Sequence, residues 1–479
     1  MSTLNRLFKN TTALVVAKGI QPLISLFLII TITKKLDVEG LGAYVTILSF
    51  VEIFQIIAAF GLRNLLTREV AQNRERAARY FAAVPIITVI SSGVAMLMMV
   101  AVVYALSKEP VVEKGAVIIS LSLLAAALAE AYEGIIGGFE KLGRVGLAWF
   151  LENVARVLIS IALLYAGFGL FSLLWVYIAV RYAKAAYYYA YIRRQIDLQP
   201  TSVDWPFIKS LLVEARVFAL IMICVMIYWK ADVVMLQTMK TTEDVGYYSA
   251  AHRIFMMARI LVTGFITAFF PVIANLYKTS AAQFEKACKR AIRFLIIITM
   301  PIAIAVSLLA EPILMLIFGE DLLPSVLVLQ ILIWVIVPYG VSQVFAYALV
   351  SSNRQRYDLY VNMLSMFANL LLNYWLIPQY NYYGAAVATL ISIHVYVLFQ
   401  MPFVFPKVFA FEPARILHLG IKIAIAAAVM VGFILLSREI SFLIIGPLSI
   451  LVYFAAIYFV RAVPGEDLQI FARMIKRPA

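Results

Sequence analysis

The chain has 479 residues, 64% of them hydrophobic and only 14% charged, with a formal net charge of +14. With a mean hydropathy of +0.94, this exceeds what the core of a water-soluble domain requires and reads as an all-α polytopic membrane protein. Its two cysteines (Cys224, Cys288) and three histidines (His252, His394, His418) sit on separate stretches, which excludes a disulfide framework and a His/Cys metal centre.

At about 20 apolar residues per crossing, about fourteen transmembrane spans follow in chain order. Spans 1 to 6 cover residues 10–33, 40–62, 80–106, 115–138, 145–166 and 168–192. Spans 7 to 12 cover 208–236, 245–276, 290–309, 324–350, 357–377 and 382–405, and the last two cover 414–436 and 440–460. Span 1 has no small-residue cleavage site and is expected to be retained. The loops are short, and no Gly-rich phosphate loop or paired-carboxylate motif is present, so the chain is expected not to be an enzyme and to need no cofactor.

With the N-terminus in the cytoplasm, 25 basic residues fall on the inside, 6 outside and 9 within spans. The positive-inside bias therefore predicts a multi-pass protein of the cell membrane with both termini cytoplasmic. It also accounts for the net charge without nucleic acid. A weak internal repeat supports two lobes: "DVEGLGAYVTILSFVEIF" entering span 2 parallels "TTEDVGYYSAAHRIFMMA" entering span 8, with Gly42 opposite Gly246 and Tyr44 opposite Tyr248. Six spans per repeat is an even number, so the two six-helix lobes should be related by a pseudo-two-fold axis along the membrane normal. The expected divisions are 1–199, 200–406 and 407–479, the last holding the two C-terminal helices and a cytoplasmic tail.

A charge at a helix centre costs roughly 2.5–3.5 kcal/mol even on the lenient insertion scale, so charges within spans mark function. Their basic excess points to an anionic substrate. Lys18 shares a face of span 1 with Thr11 and Ser25, one turn before the expected kink at Pro22; the competing reading is a lysine reaching the cytoplasmic surface. Arg216 on span 7 lies near the same depth, with a loop-paired role as the alternative. Arg253 and Arg259 on span 8 are six residues apart, hence about 120° around the helix, and suit a wide cavity. Ser49, Glu52 and Gln55 share a face of span 2, with Glu52 the expected partner of Lys18. On span 5, Glu152 and Arg156 are expected to neutralise each other. Lys184, Arg181 and Lys422 are placed toward cytoplasmic helix ends, and Glu130 and Glu133 of span 4 serve either ion coupling or a solvated mouth.

Two stretches carry a family resemblance. "LGAYVTILSFVEIFQIIAAFGLRNLLTREVA" resembles the second-helix region of polysaccharide (O-antigen, Wzx-type) flippases, and "KADVVMLQTMKTTEDVGYYSAAHRI" resembles their seventh-to-eighth-helix hairpin, with Asp232, Gly246, Tyr248 and Arg253 at recurring positions. The resemblance implies the multidrug/oligosaccharidyl-lipid/polysaccharide exporter fold, with a central cavity lined by spans 1, 2, 7 and 8. Lys18, Arg253, Arg259, Arg216, Glu52 and Gln55 are then the substrate-binding candidates. Asp232, Lys230 and Glu130 are the gating or coupling candidates, with H+ or Na+ as the ion they would serve. Arg216 departs from the small or proline-containing segment more usual there.

The implied substrate is a polyprenyl-pyrophosphate-linked oligosaccharide, flipped from the cytoplasmic to the outer leaflet by alternating access. The implied partners are that lipid-linked oligosaccharide, membrane lipids, and a polysaccharide polymerase or glycosyltransferases of the same pathway, around a monomeric transporter. A peptidoglycan-precursor flippase shares the fold and the cationic cavity. A multidrug antiporter of the same fold calls for an acidic cavity, against the basic excess found here.

Overall fold

The computed structural model describes residues 3–107, 109–196, 201–405, 408–410, 412–437 and 439–463; the side chains of 3–20, 22, 23, 216–225, 227, 228, 268 and 271 lie outside that description. All regular structure among the described residues is helical. The first eight α-helices are α1 Thr3–Ala59, α2 Leu62–Gln72, α3 Ala77–Leu106, α4 Pro110–Ser120, α5 Ser122–Gly138, α6 Leu142–Tyr165, α7 Leu170–Gln195 and α8 Trp205–Met239. The second eight are α9 Thr242–Thr279, α10 Ala281–Leu308, α11 Ala310–Phe318, α12 Ser325–Leu332, α13 Ile336–Ser351, α14 Gln355–Val404, α15 Pro413–Leu436 and α16 Phe442–Phe459.

Nine described helices are long and apolar enough to cross a membrane, and α4 with α5, bent by 43°, forms a tenth. Dividing α1 and α14 at their internal breaks, and adding α7 and α8, recovers the fourteen segments expected from the sequence. The breaks are sharper than the loops foreseen. Asp37 has φ 59° and Asn381 has φ 50°, and Asp and Asn are the non-glycine residues that most readily take positive φ. One residue therefore turns the chain where several were assigned to a loop. That α14 doubles back follows from the 2.9 Å hydrogen bond from Ser365 Oγ to the Ser392 carbonyl, since 27 residues of straight helix would hold them about 40 Å apart.

The segment assigned to the loop after span 2 instead forms the amphipathic α2. It buries Leu62, Leu65, Leu66 and Val70 against α5, where Gly134 and Gly138 allow the approach: a Cβ at Gly138 would lie 2.6 Å from Val70 Cβ.

The chain forms two compact units. The first comprises Met1–Arg253 with Asn369–Ala388, and the second Ile254–Ala368 with Thr389–Ala479. These limits of compactness differ from the divisions at 199 and 406, which were drawn from the repeat in the sequence. In the first unit the repeat has a direct physical expression. A Cβ on Gly42 would lie 1.8 Å from the Thr242 carbonyl oxygen, and one on Gly246 would lie 2.4 Å from that of Val38. Val38 and Thr242 are themselves equivalent in the aligned repeat, so each copy presents the same two positions to the other. Such reciprocity is the mark of a two-fold relation. Beside it, Thr46 Oγ1 donates to Gln237 Oε1 at 2.9 Å in a buried contact.

The second unit packs α10 against α15 and α16 through Ile297, Ile304, Ile423, Met430, Ile445 and Tyr453. Lys289 of α10 bonds Glu285 at 2.6 Å and also Glu412, at the start of α15. Outward-facing side chains are apolar in both units, with Leu97 75% and Leu436 90% exposed, as a lipid-facing surface requires.

At the start of α8, outside the expected span, Arg79 Nη2 bonds Asp204 at 2.6 Å while its guanidinium lies 4.1 Å from the Phe207 ring centroid. The hydrogen bond from Arg79 holds the Asp204 carboxyl below its ordinary value. A carboxyl depressed in the folded chain stabilises it above the unfolded pKa, and that contribution is lost as pH falls through the folded one. Amide exchange at the first turn of α8 is therefore expected to speed up on acidification below about pH 4, beyond its intrinsic pH dependence. In Asp204→Asn it should be fast at every pH.

Candidate functional site

The buried polar groups of the first unit assemble around the second arm of α1, residues 38–59. Glu52 on that arm accepts an ion pair from Lys230 of α8 at 2.6 Å, with both side chains partly open. One turn on, Gln55 donates to Glu130 of α5 and accepts from Arg181 of α7, and Arg181 also donates to Tyr177. The Arg181 guanidinium lies 4.3 Å from the Tyr177 ring centroid, a cation–π contact that holds it in place without cancelling its charge. Thus Glu52, Gln55, Lys230 and Glu130, separate expectations in the sequence, belong to one connected cluster.

Arg156 of α6 donates to Asn153 Oδ1 at 3.2 Å and lies 5.8 Å from the centroid of the same Tyr177 ring. Arg253, at the end of the first unit, donates to Ser25 Oγ of α1 at 3.3 Å. Arg253 is close enough to Arg156 to feel its like charge, and both sense Glu52 and Tyr44. Three arginines are consequently held by neutral groups: Arg156 by an asparagine, Arg181 by a glutamine and a tyrosine, Arg253 by a serine. The two lysines are spent on carboxylates, Lys230 on Glu52 and Lys184 on Glu152 at 2.6 Å.

That last pair corrects the sequence reading, in which Glu152 and Arg156 neutralised one another. The spacing of four on α6 permits such a pair, but α7 brings Lys184 to Glu152 and leaves Arg156 with its charge. Arg181 and Lys184, read as helix-end residues, are part of this interior cluster. The signal in the sequence was Tyr177, Arg181 and Lys184 at spacings of four and three on one face. Deeper toward α2, Glu133 is 2% exposed and takes Arg63 at 2.7 Å and the Trp149 indole N–H at 3.0 Å, which makes it a packing contact.

Four candidates remain. The Asp232 carboxylate accepts from the Val233 N–H at 2.9 Å and from Tyr248 Oη. Arg259 belongs to the second unit, 5.6 Å from the Tyr339 ring centroid. Lys18 and Arg216 lie outside the described side chains. Among the described residues no group of three or more His, Cys, Asp or Glu is placed to hold a metal ion.

A helical membrane chain with a repeat related by a two-fold contact and an interior rich in arginine narrows the family, and the family model for "polysaccharide biosynthesis protein" matches residues 7–277. The chain belongs to the polysaccharide biosynthesis protein family. A second family model, MatE, matches residues 218–375. Among solved structures it is similar to the lipid II flippase MurJ in an inward closed conformation, with a TM-score of 0.76 and 17% identity over 94% of this chain and 98% of that one. An inward-facing multidrug resistance transporter of the MATE family shares a TM-score of 0.67 and 13% identity over 81% of this chain and 94% of the other. A superfamily transporter from Pyrococcus furiosus, described by the reverse polarity of its binding pocket, gives 0.60 and 14% over 83% and 95%. No curated protein sequence matches. The fold is the one these flippase and transporter structures share.

Proposed function

We propose that this chain flips a polyprenyl-pyrophosphate-linked oligosaccharide from the cytoplasmic to the outer leaflet of the cell membrane, working as a monomer with both termini cytoplasmic. The observation that carries the reading is the arginine trio Arg156, Arg181 and Arg253, each bonded to a neutral partner. A guanidinium spaced and oriented by neutral groups keeps its charge for a phosphate, and its planar fork binds phosphate oxygens two at a time. Glu52, which pairs with Lys230 and senses Arg253, is placed to compete with a bound anion and assist release. Asp232, Lys230 and Glu130 are the groups proposed for gating or ion coupling. An antiporter for organic cations would instead call for an excess of carboxylates, whereas here three arginines and two lysines stand beside Glu52, Glu130 and Glu152.

A peptidoglycan precursor carries the same pyrophosphate, and the likeness to the lipid II flippase over nearly the whole chain supports that second reading at the level of fold. Native mass spectrometry of the purified protein tests both. Co-purification of pyrophosphate-linked lipid, lost in Arg253→Ala and in Lys18→Ala, is expected, and flipping assays with oligosaccharide-linked and muropeptide-linked lipids in liposomes decide between the carriers. If no pyrophosphate-linked lipid binds, or both substitutions leave binding unchanged, the proposal is wrong.

A further inference from the structure

The second unit contains a carboxylate that the cationic site does not use. Asp358, in the first turn of α14, accepts at Oδ1 from Tyr396 Oη and from Gln400 Nε2, both at 2.8 Å, and at Oδ2 from Asn362 Nδ2 at 3.2 Å. Asn362 Nδ2 also donates to Tyr396 Oη at 2.8 Å. Gln400 Nε2 has a second acceptor, the Ser342 carbonyl of α13 at 3.3 Å. Every donor around Asp358 is neutral, and no basic side chain forms an ion pair with it among the described residues. The groups facing it are Tyr396 from the second arm of α14 and Tyr347 from α13, which senses its charge; Arg354 and Arg356 flank it on its own arm.

The decisive atom is Gln400 Oε1. Gln400 is fully buried, and this oxygen has no hydrogen-bond partner. Such an orphan is uncommon and costs about 1–3 kcal/mol unless a second arrangement uses it. Rotation of the amide exchanges Oε1 with Nε2. With Asp358 ionised, Nε2 faces the carboxylate and also ties down Ser342. With a proton on Asp358, the new O–H needs an acceptor: the turned amide supplies Oε1, the Tyr396 hydroxyl rotates, and Ser342 loses its donor.

We propose that Asp358 is a proton-binding site of the second unit, and that its charge state decides whether α13 is bonded through Gln400 to the α14 hairpin. The proton comes from and returns to water, and no covalent bond other than the carboxylic O–H forms or breaks. This holds whatever the chain carries.

The test is infrared difference spectroscopy of the purified full chain between acidic and neutral pH, with amide exchange over Ile336–Ser351 measured in parallel. A carboxylic C=O band is expected to appear on acidification, to be lost in Asp358→Asn, and to shift in titration midpoint in Gln400→Leu, which keeps the carboxyl. Exchange over α13, corrected for intrinsic chemistry, should change with pH in the wild type and be pH-independent in both variants. A band spectrum that neither substitution alters, or α13 exchange that is the same at both pH values in the wild type, overturns the proposal and leaves Asp358 as a fixed structural tie. Neither readout involves a lipid substrate. A chain that flips no lipid-linked glycan yet shows these changes therefore refutes the proposed function and keeps this one.

Discussion

Gly42→Ala and Gly246→Ala are each expected to abolish most transport while leaving the chain folded and inserted. A Cβ at either position meets a backbone carbonyl of the opposite repeat, 1.8 Å and 2.4 Å away, so neither clash is relieved by moving a side-chain tip. The two repeats must separate there, and overpacking of this kind costs about 1–3 kcal/mol. Spent on one conformation of a two-state transporter, that shifts the population by roughly 5- to 150-fold. The change is local to the junction and leaves the membrane-facing surfaces of α3 and α6 alone, so expression and insertion should persist. Cysteines at Thr46 and Gln237, whose side chains bond at 2.9 Å, report the junction directly in a background without Cys224 and Cys288. Their crosslinking should be fast with both glycines present and slow with either alanine. Equal crosslinking in all three proteins would show that the junction tolerates the methyl group.

The same junction shows what the sequence made legible. Span positions follow from the bilayer ruler, and the repeat set Gly42 opposite Gly246, while the close backbone approach that leaves glycine as the one residue that fits came from the structure. The amphipathic α2 was missed because eleven residues fall short of a crossing, although Leu62, Leu65, Leu66 and Val70 carry a helical period. Charge pairing was the least legible. Glu152 and Arg156 satisfy a local spacing rule, but a lysine from α7 reaches Glu152, and no rule within one helix foretells a partner from another. The bends at Asp37 and Asn381 fall where short loops were expected, but their sharpness was not legible: a single residue at positive φ leaves no run of turn residues behind it.

Arg181→Ala and Arg253→Ala are expected to weaken binding of a polyprenyl-pyrophosphate lipid by about 10- to 150-fold each, the equivalent of the 1.5–3 kcal/mol that a hydrogen bond to a charged group contributes. Removing Arg181 also strips Gln55 and Tyr177 of their shared donor, and the site turns more acidic as it loses a cation while keeping Glu130 on Gln55. Lysine should not rescue either position, since an ammonium lacks the planar fork with which a guanidinium holds two phosphate oxygens at once. Paired loss of Glu52 and Lys230, as Glu52→Gln with Lys230→Met, removes no net charge and is expected to change affinity far less while slowing release. The double substitution Arg181→Ala with Arg253→Ala should fall short of the product of the single effects, because both act on one headgroup. Titrating the lipid into each purified variant by microscale thermophoresis distinguishes the cases. If both single arginine variants bind within about twofold of wild type, below 0.5 kcal/mol, the trio does not hold the pyrophosphate, and the cationic interior is a structural network between α1, α5, α6 and α7.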